Sequence, residues 1–330
     1  MSDRNSVIGV LLAKAETTDG TDAVPVVAND AIQILEPLEA NGSFAFKTPR
    51  DKLIDGAAIQ ASPPLSPKGR MATWPNTVHF RGNRTTIAYA ATPAATPELH
   101  PYMIAAGCSS TLVTTGGSES YTYKPASTGL LGATEYYYVD GKLYKILGAK
   151  AEIEFALDAG GPLVASLKRT GLYQAPTDAA VPTIVASSYG TAVPPVADNI
   201  ALSIAGFSAG IIRSFRMSTG NQIAQRKNAN APGGLATHRI RTRKITFEIV
   251  LEDELVGTKD FENLQLTNAV NALSFTIGAT QYNKCTWSAP NARIEDVAKS
   301  DDAGTQLIKL SGGLYDSTPA ANDAFSFLLN

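Results

Sequence analysis

The sequence predicts a mainly β protein made of two tandem β-sandwich or barrel-like domains, and three observations carry that expectation. Short markers recur in the same order in each half. Glycine, proline and Asp-Gly turn signals punctuate the chain between runs rich in threonine and valine. Several of those runs alternate apolar with polar residues, the period of a half-buried strand.

The first marker reads Gly20-Thr21-Asp22-Ala23-Val24-Pro25-Val26-Val27-Ala28-Asn29-Asp30 and returns as Gly190-Thr191-Ala192-Val193-Pro194-Pro195-Val196-Ala197-Asp198-Asn199. The second reads Thr170-Gly171-Leu172-Tyr173, then Gly312-Gly313-Leu314-Tyr315. Gly20 lies 151 residues before Gly171, and Gly190 lies 123 before Gly313. Of that 28-residue difference, 20 residues fall between the helix cap and the second marker. Kept order with varying loops is the pattern of a divergent tandem copy. Domains are expected at 1–182 and 183–330, joined by a linker from Pro176 to Pro182. Two domains of about 165 residues can each bury roughly 70% of their extended-chain surface.

In the first half, a two-stranded excursion is expected before the helix. Its loop, Asp51 to Pro75, carries Pro63, Pro64, Pro67 and Gly69. Its return strand covers Thr77 to Tyr89, with Val78 and Phe80 inward. A helix follows: Thr96 caps it, Pro97 suits its first turn, Leu99, Tyr102, Met103 and Ala106 recur at helical spacing, and Gly107 ends it. Pro101 falls in or just after that first turn. Tyr136 to Leu147 reads as a hairpin around Asp140-Gly141, since both turn positions need positive φ. Ala151 to Leu157 alternates as a strand.

The second half repeats the plan. Its excursion runs from about Ile211 to Glu252, with a loop at Asn228 to Leu235. The return strand, Arg239 to Glu252, puts Ile245, Phe247, Ile249 and Leu251 on one face. A helix capped by Thr258 turns Phe261, Leu264 and Ala269 inward.

Composition narrows function. Hydrophobic content is 44%, charged content 18% and net charge −2, which argues against a nucleic-acid binder working by bulk charge. Cys108 and Cys285 occupy different places in the two halves and read as small buried apolar residues. Met1 to Val10 lacks the apolar region of a signal peptide, and Ile200 to Ile212 is too short to span a bilayer. The chain is expected to be made in a cytoplasm.

No catalytic, metal or cofactor site is expected. Gly206-Phe207-Ser208-Ala209-Gly210 matches a nucleophile elbow, but no acid lies between Ser208 and His238, the only later histidine. His79, His100 and His238 have no second ligand at zinc spacing. Arg213, Arg216, Arg226, Lys227, Arg239, Arg241, Arg243 and Lys244 fall in 32 residues without an acid. With only Phe215 interleaved, base stacking is disfavoured, and a protein–protein surface is the better reading of this cluster than phosphate contact.

Three segments carry a resemblance. Leu11 to Pro25, Tyr138 to Lys150 (Tyr138-Val139-Asp140-Gly141-Lys142-Leu143-Tyr144-Lys145-Ile146-Leu147) and Thr170-Gly171-Leu172-Tyr173-Gln174-Ala175-Pro176-Thr177-Asp178 resemble tail tube proteins of long-tailed, non-contractile bacteriophages. The resemblance implies β-sandwiches flanked by a helix, each lending a long hairpin to a ring-spanning β-barrel. It implies stacked rings, no enzyme activity and no cofactor. The partners implied are further copies of the chain, tape measure protein, tail terminator or tip proteins, and double-stranded DNA in transit without specific binding. The place implied is the virion tail, with no membrane. With two units per chain, trimers of pseudo-sixfold symmetry are expected. A subunit of another tubular bacterial injection or secretion assembly, or more remotely a serine hydrolase using Ser208, are the alternatives.

On this reading the Ile245, Phe247, Ile249 and Leu251 face packs on the sandwich. Thr242, Lys244, Thr246, Glu248 and Glu252 then line the lumen, with Lys244 paired to an acid such as Glu248. Arg239, Arg241 and Arg243 turn towards neighbouring subunits. The loops Asp51 to Pro75 and Asn228 to Leu235 are expected to become ordered on assembly.

Overall fold

The computed structural model describes residues 9–35, 38, 42–43, 46–47, 66–67, 71–82, 88–90, 96–184, 193–198, 200, 202–208, 210–231 and 234–330. It is mainly β, with 54% strand and 6% helix. The first half holds β1 (Gly9–Ala15), α1 (Val27–Asp30), β2 (Ala31–Ile32), β3 (Gly42–Ser43), β4 (Phe46–Lys47), β5 (Ser66–Pro67) and β6 (Met71–His79). Next come α2 (His100–Ala105), β7 (Cys108–Val113), β8 (Ser120–Pro125), β9 (Ala133–Val139), β10 (Lys142–Asp158) and β11 (Val164–Asp178). The second half opens with β12 (Ser203–Ile204), β13 (Ile212–Ser218), β14 (Asn221–Lys227), β15 (Leu235–Arg243) and β16 (Thr246–Glu252). It closes with α3 (Phe261–Leu266), β17 (Asn271–Ile277), β18 (Cys285–Asp302), β19 (Thr305–Leu314) and β20 (Ser326–Leu329).

Local chemistry explains the main hairpins. Asp140 and Gly141 both take positive φ, +38° and +80°, and join β9 to β10 with Val139 opposite Lys142. Along β10, Ile153, Phe155 and Leu157 are buried while Glu154 is exposed, the alternation expected of one covered face. Helix α2 starts at His100, later than Thr96 and Pro97 imply, with Pro101 inside its first turn. Leu99, Tyr102, Met103 and Ala106 are buried, and Gly107 at φ +78° ends it. Helix α3 is capped by Asp260, whose carboxylate accepts from the Asn263 amide at 2.8 Å. Asp260 supplants Thr258 because it sits directly before the first helical residue, where its oxygen reaches the N3 amide.

The two halves pair their strands in one order. In the first, β1, β9, β10, β11 and β6 lie side by side, all antiparallel. In the second, β12, β17, β18, β19 and β16 do the same. Each series also follows the same chain order, with a helix after its return strand. The hairpin β7–β8, between α2 and β9, has no counterpart in the second half, and it occupies the stretch where the first half is longer. The second marker is not in equivalent register, however. Tyr173 is buried in β11, whereas Tyr315 lies past β19 and is 45% exposed.

The halves are tied together at two places. The distal end of β10 takes β13 on its free side, with Phe155 opposite Met217 and Leu157 opposite Phe215. The last strand, β20, returns to pair with β8, with Phe327 opposite Tyr123. One 16-stranded sheet results, beside the ribbons β14–β15 and β4–β5. Among the described residues no closed barrel forms; the sheet has open edges. One buried apolar cluster runs through both halves. Phe155 meets Phe327 at 4.6 Å and Phe80 at 5.7 Å, while Phe215, Phe275 and Trp287 stack within 4.7 to 5.2 Å. Aromatic rings supply large buried area and favour such edge and offset contacts.

Two boundaries differ from expectation. The first return strand begins at Met71, although Val78 and Phe80 do point inward. Pro176 lies within β11, because its partner β10 runs long enough to hold the strand to Asp178. Most of Asp51 to Pro75, with part of the second copy of the first marker, lies outside the described residues. Cys108 and Cys285 are free and buried; burial pushes the Cys108 thiol up to about 12.

An ion pair holds α2, β9 and β11 together. Arg169 and Glu135 are each fully buried, with Arg169 Nε 2.9 Å from Glu135 Oε1, and the guanidinium lies 5.1 Å from the centre of the Tyr102 ring. Burial pushes the Glu135 carboxyl up, against the pull of Arg169. Removing one partner of such a pair typically costs about 3–5 kcal/mol, whereas an apolar replacement of both can be neutral. Arg169→Met is therefore expected to lower stability by about 3–5 kcal/mol in denaturant unfolding, and Arg169→Met with Glu135→Leu to recover most of it.

The half-buried His100, whose Nδ1 is 3.0 Å from the Tyr123 hydroxyl, is lowered by burial to about 4. The folded protein thus prefers neutral imidazole. Its contribution is complete above the unfolded pKa of about 6.5 and is lost as pH falls towards 4. The full span corresponds to on the order of 3 kcal/mol. Unfolding of parent and His100→Gln between pH 7 and 4.5 should show a shallower loss in the variant.

Candidate assembly surface

The second-half excursion builds the most distinctive surface. On β13 and β16 the inward side chains Phe215, Met217, Phe247, Ile249 and Leu251 are all buried, packed with Trp287 and Phe275. The other side of the same strands is a row of charge pairs. Arg216 on β13 stands 4.0 Å from Glu154 on β10, Glu248 on β16 lies 2.6 Å from Lys309 on β19, and Arg213 donates to Glu252 at 2.7 Å. Acid and base alternate across four adjacent strands.

The excursion is not one straight hairpin. It bends where Gly220 takes φ +56° against Lys244; a Cβ at Gly220 would sit 2.0 Å from the Lys244 carbonyl oxygen. Only glycine fits so close an approach of two backbones. Thr219 caps the fold-back, its hydroxyl accepting from the Ile153 amide at 3.0 Å. Beyond the bend, β14–β15 forms a separate ribbon laid on the first half.

Arg243 fastens that ribbon. Its Nε donates to Asn221 Oδ1 at 2.9 Å, and Nη2 donates to the carbonyls of Ala106 and Gly107, each at 3.0 Å. Asn221 in turn donates to the carbonyls of Ala106 and Ala151. The carbonyls of Ala106 and Gly107 lie at the end of helix α2, where a cation is also favoured by the helix dipole. Thr237 packs on the backbone of Gly20, and His238 beside it is buried with its pKa lowered by that burial.

The five residues expected to share one outward face are split by the bend. Thr246, Glu248 and Glu252 lie on one side of β16, opposite its buried residues. Thr242 is on the ribbon, where its hydroxyl donates to Gln222 Oε1 at 2.9 Å, and Lys244 sits exposed at the bend. Glu248 is paired with Lys309 rather than Lys244. Arg239 and Arg241 are exposed on β15, while Arg243 is engaged within the chain. The basic cluster thus divides in three, with Arg243 by itself. Arg213 and Arg216 are paired on the sheet, whereas Arg226, Lys227, Arg239, Arg241 and Lys244 have no ion pair among the described residues. The glycine at 220 was the one sequence signal for the bend. Nothing in the sequence marked the β10–β13 junction, because strand partners so far apart leave no local trace.

The Ser208 motif does not sit on a strand–turn–helix. It follows the two-residue β12 and leads into β13. No group of three or more metal-binding side chains occurs among the described residues, and no described helix is long and apolar enough to cross a membrane.

A family model described as phage tail tube protein matches residues 9–308. A search of curated proteins finds no match.

The docking of the ribbon is open to test. Hydrogen bonds from a charged donor contribute about 1.5–3 kcal/mol each. Arg243→Ala is expected to destabilise the chain by about 2–3 kcal/mol and to raise amide exchange across Leu235 to Arg243. Arg243→Lys should restore only part, since an ammonium cannot span three acceptors as a planar fork does.

Proposed function

The chain belongs to the phage tail tube protein family, and we propose that its two halves are duplicated tube units, 1–182 and 183–330, so that three chains close one ring of pseudo-sixfold symmetry. As a family member it is a structural component of the virion tail that assembles with copies of itself into a tube. In the proposed arrangement the rings stack, the tube is of the non-contractile type, and DNA leaves through it. Tape measure protein and a terminator or tip protein meet it inside the tube and at its ends. Synthesis takes place in the host cytoplasm.

The observation that carries this reading is the repeated pairing order, β1-β9-β10-β11-β6 and β12-β17-β18-β19-β16. A chain that presents two like sets of strands can occupy two of six places in a ring, with similar contacts within and between chains.

The outward side of β13 and β16 is proposed as channel wall. Thr246, Glu248 and Glu252 lie there, and every described cation of β13 and β19 on that side has an acid beside it. Exposed ion pairs add little stability, about 0–1 kcal/mol. Their use here is different: a cation already matched offers a passing phosphate little counterion release, and each unmatched one adds salt-dependent affinity. Thr242 and Lys244 would border this wall at the bend. The exposed Arg239 and Arg241 of the ribbon are proposed to face neighbouring subunits.

Averaged electron micrographs of purified assemblies test the stoichiometry. Rings containing three chains are expected. A ring of six chains with true sixfold symmetry would refute it.

A further inference from the structure

Where the ribbon β14–β15 lies on the first half, it leaves a cleft of about 380 Å³ whose polar groups are not all matched within the chain. Asp19 and Lys150 line it from the first half, and Arg226, His238 and Arg239 from the ribbon. Two of these side chains are deeply buried. His238 is 1% exposed, and neither ring nitrogen has a hydrogen-bond partner among the described residues. Burial holds its pKa below the ordinary value, so at pH 7 the ring is neutral, with one N–H donor and one bare nitrogen. Buried polar atoms are rarely left in that condition. Lys150 is also 1% exposed. Its ammonium donates to Asp19 Oδ1 at 2.7 Å and to the Leu130 carbonyl at 3.0 Å, which uses two of its three donors.

Charge points the same way. Arg226 and Arg239 are exposed at the rim of the cleft, with no ion pair among the described residues. Lys150, Arg226 and Arg239 therefore bring three cations to one cleft, against the single carboxylate of Asp19. A water molecule could satisfy His238, but water does not answer the excess of positive charge. An oxyanion answers both. It accepts from buried donors, and the planar fork of arginine suits its paired oxygens.

We propose that this cleft binds a small oxyanion of the phosphate class, seated against His238 and the remaining donor of Lys150 and closed over by Arg226 and Arg239. Lys150 belongs to β10 and the other three to the ribbon, so the bound ion would bridge the two, a second fastening beside that of Arg243. The cleft is complete within one chain, and the proposal does not depend on the ring reading.

Titration of the unassembled chain with inorganic phosphate, at ionic strength held constant with chloride, tests it. The ring-proton resonances of His238, identified by their loss in His238→Gln, are expected to shift and saturate. Those of His79 and His100, which do not line the cleft, should not follow. Amide exchange across Leu235 to Arg243 should slow as phosphate fills the site. Arg226→Ala combined with Arg239→Ala is expected to weaken phosphate at least about tenfold. Both arginines are exposed, so the double variant should fold, which circular dichroism checks. Arg241→Ala, exposed on the same strand but outside this cleft, should bind phosphate as the parent does. No saturable shift of His238, as a cleft filled by water alone would give, overturns the proposal. So does unchanged affinity in the double variant, or an equal loss in Arg241→Ala, which would mark a general basic surface and not a site.

Discussion

The backbone requirement that every buried amide and carbonyl find a partner governs this molecule more than any side chain does. Its decisive instance is the free side of β10. That strand runs on past its pairing with β9, which ends at Ala149, and its last five residues, Glu154 to Asp158, need a partner on that side. The chain fills them with β13, a strand more than fifty residues further on. That one ladder brings Met217 and Phe215 over Phe155 and Leu157, and so merges two cores into one apolar cluster. It also aligns the outward faces of the two halves, which is how Glu154 comes to stand beside Arg216 and why the charge row crosses from one half to the other.

The two faces of that shared sheet obey different physics. The inner face is held by area: buried aromatic and branched side chains contribute roughly 25 cal/mol per Å² removed from water. The outer face gains almost nothing of that kind, and its paired charges are too exposed to stabilise it much. Their arrangement therefore reads as a constraint on what the face does, not on how it folds. By contrast Arg169 and Glu135, with no exposure at all, lock α2 to the sheet. The same chemistry thus has a structural role inside and a surface role outside, and burial decides which.

Much of the local structure was legible in the sequence, and most of the assembly of those parts was not. The Asp140-Gly141 turn, the inward set of β16 and the buried helix residues follow from φ preferences and from alternation, which operate over a few residues. The strand Arg239 to Glu252 read as one piece because its polar and apolar residues keep phase through Lys244. The break there comes from Gly220, far upstream in the chain but in contact across the hairpin. Arg243 likewise looked like one more surface arginine, since the carbonyls of Ala106 and Gly107 that hold it lie on another element. The second marker keeps its order in the two halves and not its register. Tyr173 lies within β11 and is buried, whereas Tyr315 lies just past the end of β19 and is exposed.

That loss of register carries a consequence for any assembly built from this chain. Two separate identical subunits must use each surface in the same way, whereas two fused copies are free to diverge. Here the hairpin β7–β8 exists only in the first half, and it receives β20 from the second. The ribbon β14–β15 of the second half docks on the first, where Gly107 leaves room for Arg243; a Cβ there would lie 2.2 Å from its Nη2. The two halves are complementary rather than equivalent. A ring made from such chains has alternating junctions. One kind is covalently linked and supported by β20 and the ribbon. The other kind lies between chains, where the exposed arginines of β15 are proposed to face a neighbour. Assembly would then be controlled at the second kind alone, because the first is complete as soon as the chain has folded.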